Sequence, residues 1–265
     1  MRQLKQVFGN ARKENRVALV GYLPVGYPNP EDYSRLVATA FEEGLDVLEM
    51  GLPSQNPFLD GKVIQDANQS VVQAGLSVDA ALELGGKTLQ RANACGVVMV
   101  YRAEILAYGM ENLVKECLRH GYSGILPVAM EGQELKDLYQ YAEQYGLAVV
   151  GFIKAELEAG QIEASLNGVS GFVYFQGMSG TTGQHLNIDD AFESRANMVM
   201  EAARKKQVPV AVGFGIREPE DVRAMRRLGV DGVIIGTAMV QVAETGLSEF
   251  KAYVRSLVKA ARDEE

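Results

Sequence analysis

The chain alternates short, nearly continuous apolar runs with longer segments in which apolar residues recur every three or four positions. The short runs are rich in Val, Ile and Leu, as expected of strands covered on both faces, and the longer segments have the spacing of amphipathic helices. This alternation is typical of a parallel α/β fold. The predicted strands are Val17–Leu23, Asp46–Gly51, Gly96–Tyr101, Ser123–Val128, Leu147–Phe152, Val169–Phe175, Val208–Gly213 and Asp231–Ile235.

Helices are predicted between these strands, and several carry recognisable end signals. Asn29 precedes Pro30 as an N-cap, and Ser77 stands in the same place before the next helix. Glycines end four helices before a strand, at Gly44, Gly121, Gly146 and Gly229. The predicted helices are Pro30–Glu43, Val78–Ala92, Met110–His120, Gly132–Tyr145, Glu156–Leu166, Ile188–Lys206, Glu218–Leu228 and Ser248–Arg262.

The number of strands favours one of two folds that share this alternation. An open, doubly wound sheet also alternates strands and helices, but eight strands is the number that a closed barrel needs. The length of 265 residues suits one barrel, and no Pro- or Ser-rich linker divides the chain. We therefore expect an α/β fold: a single-domain (β/α)8 TIM barrel over residues 1–265 with an extra N-terminal helix.

Charge and composition limit the partners. The net charge of -8 argues against nucleic-acid binding, because a phosphate backbone requires clustered Lys and Arg. The N-terminal segment has no apolar signal-peptide core, and no apolar run approaches the ~18 residues of a membrane span. Cys95 and Cys117 lie in apolar stretches, which predicts buried free thiols and a reducing, cytoplasmic compartment.

Glu49 is the most unusual residue of the predicted strands, because it is charged and flanked by Leu48 and Met50. Its carboxylate is costly in the barrel interior or in the helical layer unless it is paired or protonated. A desolvated Glu would have a raised pKa and could exchange protons near neutral pH, whereas a nearby Arg or Lys would make it structural. The segment continues to Gln65 as a predicted loop, with Asp60 in a Leu-Asp-Gly turn.

Three glycine-containing loops follow the last three predicted strands, with the sequences GMSGTTG at 177–183, GFGI at 213–216 and IGTA at 235–238. Glycine lets main-chain amides approach a phosphate closely, and barrels often bind phosphate in the loops after strands seven and eight. With no evident Lys or Arg in these loops, the expected cradle is uncharged and consists of amides and the Thr237 hydroxyl. The ligand is therefore predicted to be a phosphorylated small molecule.

Aromatic residues at strand ends could form the wall of a pocket for a flat or apolar group, or simply pack in the core. They are Tyr22, Tyr101, Tyr174 and Phe214. Neither His120 nor His185 stands near a Ser or Cys in a triad pattern, and the sequence has no metal-ligand cluster or dinucleotide motif. Lys154 comes nearest to a Schiff-base lysine. We expect no covalent nucleophile, no metal and no cofactor.

These motifs together resemble the family of tryptophan synthase α subunits over nearly the whole chain. The likeness is carried by GYLPVGYPNP at 21–30, LEMGLPSQNPFLDGKVIQDAN at 48–68, GTTG at 180–183, GFGI and GTA. The resemblance implies a lyase of tryptophan biosynthesis, which cleaves indole-3-glycerol phosphate to indole and glyceraldehyde 3-phosphate by a retro-aldol reaction.

The resemblance also implies roles for individual residues. Glu49 would transfer protons, Asp60 would accept the indole N–H, and Tyr174 would place the glycerol hydroxyl. Thr182 would hold Asp60 when a loop closes. The phosphate would be bound by Gly183, Gly215, Gly236 and Thr237. The indole pocket and its loops would be formed by Tyr22, Ile64, Met99, Tyr101, Leu126, Thr182, Phe214 and Ile234.

Several loops depart from the family pattern. After strand two, the usual Ser-Asp-Pro reads Gln55-Asn56-Pro57 and the usual Ala-Asp-Gly-Pro reads Leu59-Asp60-Gly61-Lys62. After strand three, Tyr-x-Asn-Pro reads Tyr101-Arg102-Ala103-Glu104, and after strand four, Asp-x-Pro reads Ala129-Met130-Glu131. In the strand-six loop, Met178 replaces a common Arg. In the family these loops face the β subunit or relay signals to it. We therefore expect that catalysis is retained and that pairing with a β subunit, in the αββα tetramer of the family, is weakened or lost.

Two other functions remain open at this stage. The barrel and phosphate site could serve another phosphorylated substrate in an aldol cleavage, since Gln176, Met178 and Lys62 would alter the pocket. The chain could also be a non-catalytic regulatory subunit, although such a subunit would need neither Glu49 nor Asp60.

Overall fold

The computed structural model describes residues 2–177, 188–213 and 215–264. In these ranges nine parallel strand segments form one sheet, in the order β5-β4-β3-β2-β1-β9-β8-β7-β6. The segments are β1 Ala18–Pro24, β2 Val47–Gly51, β3 Gly96–Tyr101, β4 Gly124–Val128, β5 Ala148–Val149, β6 Gly151–Ile153, β7 Val173–Gln176, β8 Val210–Gly213 and β9 Gly232–Ile235.

Helices precede, connect and follow the strands. Those of the described ranges are α1 Arg2–Lys13, α2 Pro30–Glu42, α3 Lys62–Gln73, α4 Val78–Ala92, α5 Arg102–Tyr108, α6 Met110–Arg119, α7 Gly132–Tyr145, α8 Ala159–Ser165, α9 Asp190–Lys205, α10 Pro219–Leu228, α11 Thr237–Ala243 and α12 Leu247–Arg262. None of them has the length and hydropathy to cross a membrane.

The barrel closes at its fifth strand, which the structure divides into β5 and β6. The Val150 N–H donates to Ile125 O of β4 at 2.9 Å, and the next N–H, of Gly151, donates to Phe172 O at 3.0 Å. One strand thus changes partner at a single residue and joins the two edges of the sheet. The nine segments therefore make eight barrel strands, and the predicted (β/α)8 TIM barrel is confirmed.

Side chains alternate between two apolar clusters along each strand. In β1, Leu19 and Leu23 pack in the cluster between strands and helices, whereas Val20 packs in the interior cluster and Tyr22 lines the interior cavity. Both clusters are buried, which is why the strand sequences read as continuous apolar runs. The same alternation decides which residues of the other strands face the interior.

The predicted N-terminal helix is α1, and it covers one end of the barrel. Leu4, Phe8 and Ala11 are buried in the interior cluster, and the Phe8 and Phe172 ring centroids are 5.2 Å apart. This is the end at which the strands begin, opposite the loops that follow the strands. The interior is therefore filled with hydrocarbon at its N-terminal end.

Three helices were not predicted from the sequence. The prediction of a loop up to Gln65 was wrong from Lys62 onwards, where α3 begins. Its buried residues have helical spacing, but one of them is the polar Asn68, which interrupts the apolar pattern. The other two, α5 and α11, have seven residues each and directly follow strands, so they are too short to show a helical period.

Most predicted helix ends agree with the structure. Asn29 and Ser77 accept hydrogen bonds at the starts of α2 and α4, and the four helix-ending glycines have positive φ. The helix α8 is shorter than predicted, because Glu158 and Gln161 form a capping box that starts it at Ala159. Cys95 and Cys117 are buried free thiols, as expected.

Candidate active site

Glu49 points into the barrel interior. Its strand neighbours in register are Tyr22 of β1 and Val97 of β3, while Leu48 and Met50 pack outwards. The Glu49 side chain is 1% exposed, and its Oε1 atom has no hydrogen-bond partner. The ion pairs formed between described residues do not include it. Of the two interpretations that the sequence left open, the structure therefore favours an unpaired carboxyl group.

Burial determines the protonation state of Glu49. Removal from water raises its pKa to about 8, and the neighbouring Asp60 carboxylate acts in the same direction. Both causes penalise the ionised form, so most Glu49 side chains carry a proton at neutral pH. The residue can therefore donate a proton and, once ionised, accept one.

Asp60 is the second buried acid, at 5% exposure, and its environment is more polar. The Tyr101 hydroxyl donates to Asp60 Oδ2 at 2.8 Å. Burial raises the pKa of Asp60 to about 6, and the Tyr101 hydrogen bond opposes that rise. At neutral pH Asp60 is therefore mainly ionised beside a mainly protonated Glu49, an arrangement that separates an acid from a base.

Two polar residues of α3 hold the loop that carries Asp60. The Asn68 side chain accepts from Ser54 N at 3.1 Å and donates to Ser54 O at 2.5 Å. Gln65 Nε2 donates to Asp60 O at 2.8 Å, and Asp60 N donates to Pro57 O at 3.1 Å in the predicted turn. The sequence analysis gave Gln65 and Asn68 no role of their own, although a polar residue on the buried face of a helix is a usable signal.

Both acids open into one cavity with an otherwise largely apolar lining. The empty space at the site, including space open to solvent, is about 490 Å³. Of the residues that the resemblance assigned to the site, it brings together Glu49, Asp60, Tyr174, Tyr22, Ile64, Met99, Leu126, Ile234 and Gly236. Tyr101 touches Asp60 from outside this lining.

Three lining residues, Leu59, Val128 and Phe152, were not predicted from the sequence. Val128 lies two positions after Leu126 on β4, so counting every second residue inwards would have found it. Phe152 lies on β6, and its ring is 5.3 Å from that of Tyr174. These residues extend the apolar part of the cavity wall.

Tyr22 and Tyr174 fit the cavity because two glycines make room for their rings. A Cβ atom on Gly51 would collide with the Tyr22 ring, and one on Gly213 would collide with the Tyr174 ring. Burial raises the pKa of both tyrosines above the usual value, so both hydroxyls stay protonated. They can therefore donate hydrogen bonds to a ligand.

Of the three loops predicted to bind phosphate, those after β8 and β9 lie at the same end of the barrel as the two acids, and residues 178–183 of the other lie outside the described residues. Gly236 lines the cavity, and the buried Thr237 begins α11. Gly215 has a φ of 86°, which favours glycine. The remaining predicted residues, Thr182, Gly183 and Phe214, lie outside the described residues. The structure thus brings part of the predicted phosphate cradle next to the cavity.

The described residues that suggested another substrate or a cofactor do not line the cavity. Lys62 is exposed and pairs with Asp66, and Gln176 is buried at the end of β7. Lys154 lies 3.2 Å from Glu131. Met178 lies outside the described ranges, within which no group of His, Cys, Asp and Glu could hold a metal ion.

Comparison with known proteins identifies the family. The sequence model described as tryptophan synthase alpha chain matches residues 8–264. The tryptophan synthase alpha chain of Dehalococcoides mccartyi is 30% identical over 246 residues, which are 92% of this chain and 95% of that protein. The same protein of Mycobacterium marinum is 28% identical over 260 residues, covering 98% of this chain and 95% of the relative.

Solved structures agree with the sequence comparison. A chain of tryptophan synthase from Mycobacterium tuberculosis matches with a TM-score of 0.89 at 27% identity, and the match covers 98% of both chains. The chain belongs to the tryptophan synthase alpha chain family, the lyases that cleave indole-3-glycerol phosphate to indole and glyceraldehyde 3-phosphate in tryptophan biosynthesis.

Proposed function

We propose that Glu49 and Asp60 divide the proton chemistry of this cleavage between them. The reaction breaks the carbon–carbon bond between indole C3 and the side chain. It adds a proton to C3 and removes one from the side-chain hydroxyl, which becomes the aldehyde. Protonated Glu49 donates to C3, and ionised Glu49 then accepts the hydroxyl proton, so the residue ends in its starting state.

Asp60 stabilises the positive charge that forms on the ring while C3 is protonated. It does so by accepting the indole N–H, which requires the ionised carboxylate that its pKa of about 6 provides. Tyr174, whose hydroxyl stays protonated, places the hydroxyl of the substrate side chain. The indole ring occupies the apolar cavity, with Tyr22, Ile64, Met99, Leu126 and Ile234 as its wall.

The phosphate binds at the rim formed by the loops after β7, β8 and β9. Gly215, Gly236 and Thr237 supply amides and one hydroxyl, with Gly183 as the fourth predicted residue. Phe214 covers the ring, and Thr182 holds Asp60 on closure. These assignments rest on the resemblance and, for the described residues, on their position beside the cavity.

The observation that carries the mechanism is that two buried acids share one largely apolar cavity, Glu49 with an oxygen that has no hydrogen-bond partner and Asp60 beside Tyr101; burial raises the pKa of both. The test is indole release from indole-3-glycerol phosphate by the wild type, by Asp60→Asn and by the control Asp66→Asn, which changes an exposed acid paired with Lys62. We expect a loss of about a hundredfold or more for Asp60→Asn and none for Asp66→Asn. A folded wild type that releases no indole would favour the regulatory alternative.

We further propose that the chain works without a tightly bound β subunit. Two of the segments that depart from the family pattern form ion pairs with neighbouring parts of the chain on the catalytic face. Arg102 binds both carboxylate oxygens of Glu134, at 2.5 and 2.6 Å, and Lys154 pairs with Glu131 at 3.2 Å. These charges satisfy each other within the chain, so a partner would have to displace them.

Mixing the chain with a tryptophan synthase β subunit tests this proposal. We expect separate elution of the two proteins in gel filtration and a change of less than about twofold in the rate of indole release. A stable complex with strong mutual activation would contradict it and would place the chain in an αββα assembly.

We also propose that residues 1–265 form one domain and that the protein acts in the cytoplasm, where its buried thiols stay reduced.

A further inference from the structure

The end of β3 contacts the Asp60 loop at three points. The Tyr101 hydroxyl donates to Asp60 Oδ2 at 2.8 Å, and the Tyr101 and Phe58 ring centroids are 5.7 Å apart. The third contact comes from Glu104, whose Oε1 accepts the main-chain N–H of Gln55 at 3.3 Å. All three contacts therefore join β3 and α5 to the segment 55–60.

Glu104 is unusual for a carboxylate in the first turn of a surface helix. It is only partly exposed, its Oε2 atom is buried without a hydrogen-bond partner, and no ion pair between described residues includes it. A carboxylate normally keeps its hydration or gains a cation. Here the single hydrogen bond that it accepts comes from the Gln55 amide of the loop. The partly desolvated carboxylate therefore depends on Gln55 staying in place.

The helix α5 is a fixed support for this contact. It continues directly from β3, and its Ile105 side chain is fully buried. On its other side the loop is held by α3, through Asn68 and Ser54. The loop therefore spans two rigid supports, and Glu104 provides one of its two attachments near residue 55.

We propose that Glu104 is a positioning residue that keeps Asp60 in hydrogen-bonding register with Tyr101. Only four residues separate Gln55 from Asp60, so a shift of the loop at its start displaces the carboxylate at its end. The inference rests on the proposed role of Asp60. It adds a residue that does not line the cavity and that stands where the family pattern has Pro.

Loss of this attachment changes the ionisation of Asp60. The titratable groups that face Asp60 are Glu49 of β2, Tyr101 of β3, Tyr22 of β1 and Tyr174 of β7. Of these, only Tyr101 stabilises the ionised form. A displaced loop weakens that hydrogen bond, the pKa of Asp60 rises, and the acid limb of the activity profile moves to higher pH.

The experiment compares Glu104→Ala, Glu104→Met and Glu104→Gln with the wild type. Ala and Met remove the acceptor, Met keeps the length of the side chain if Ala impairs folding, and Gln keeps an acceptor oxygen. Arg102→Ala is the matched control, because it breaks the tie of α5 to α7 and leaves the loop contact. The measurements are kcat, KM and the pH profile of indole formation.

We expect Glu104→Ala and Glu104→Met to lower kcat about fivefold at pH 6, the factor of one ordinary hydrogen bond, with KM within about twofold. Their acid limb should move up, while Glu104→Gln and Arg102→Ala match the wild type. Wild-type kcat and pH profile in folded Ala and Met variants would overturn the inference, as would a Gln variant as impaired as Ala. An active Asp60→Asn variant would instead contradict the role of Asp60 itself.

Discussion

The two ends of the barrel interior differ in polarity and packing. At the N-terminal end, Leu4 and Phe8 of α1 fill the space against Phe172 with hydrocarbon. At the C-terminal end, Glu49 and Asp60 face a cavity, and both have pKa values raised by burial. One end thus gains stability from packing, and the other keeps the polar groups that a reaction needs.

Two acids of the same chain segment make the contrast sharp. Asp46, just before β2, binds Arg16 through both oxygens, at 2.6 and 2.9 Å, and also accepts from Leu19 N. Glu49, three residues further on, has an oxygen with no partner. The chain can satisfy a carboxylate where structure alone matters, so an unsatisfied one inside the barrel indicates chemistry rather than support.

The largest effect is expected at the catalytic end. Glu49→Gln keeps the shape and neutral state of the side chain but cannot transfer a proton, so kcat for indole release should fall on the order of a thousandfold. At neutral pH the folded wild type keeps protonated a group that ionises on unfolding, so the Gln variant should be at least as stable in thermal unfolding. A Gln variant with wild-type kcat in a steady-state assay would remove Glu49 from the mechanism.

The converse change belongs to the N-terminal end. Phe8→Ala removes a buried ring from the apolar cluster at this end of the interior and should lower the free energy of unfolding by about 3 kcal/mol. Activity per folded molecule should stay unchanged, because the ring is remote from the cavity lining. Denaturant unfolding and an indole-release assay below the transition measure both quantities. A loss of kcat in the folded variant would show that the ends are coupled.

The pH dependence of stability should show the same contrast. The folded-state pKa of Glu49 lies above its ordinary value, so its protonated form stabilises the fold fully below pH 4.5 and loses that effect as pH rises through about 8. Glu49→Gln lacks this dependence. Between those pH values the wild type should lose on the order of 4 kcal/mol relative to the variant in denaturant unfolding. Parallel curves would contradict the raised pKa.

The smallest effect concerns the balance between the ionised and protonated forms of Asp60. Tyr101→Phe removes the hydrogen bond that favours ionised Asp60 and keeps the ring against Phe58. The pKa of Asp60 should rise above about 6, so kcat at pH 6 should fall about fivefold and recover at pH 8. A pH–rate profile measures this directly. A loss that is equal at both pH values would assign Tyr101 to packing.

Much of the fold followed from the sequence, because strands and amphipathic helices differ in period. The direction of the Glu49 side chain did not follow from it, since β2 is buried on both faces and apolar residues flank the acid on each side. Only the register with Tyr22 and Val97 shows that it faces the interior. Local pattern thus predicts the elements, and pairing between strands decides their inward residues.

Contacts between loops were beyond the sequence for a similar reason. The hydrogen bonds of Tyr101 and Glu104 with the segment 55–60 join residues more than forty positions apart. Neither stretch of sequence contains a local pattern that predicts contact with the other. The resemblance supplied Tyr101 as a site residue but gave Glu104 no role, because the family has a different residue there. Such contacts depend on the geometry of neighbouring strand ends.

The central claim is that Glu49 holds a proton at neutral pH, and its titration tests this most directly. Carbon-13 NMR of the carboxyl groups in Glu-labelled protein, with Glu49→Gln to assign the resonance, should show one signal that titrates near pH 8. The assigned resonance titrating near the ordinary pKa of 4.5 would mean an ionised Glu49 and would contradict the account.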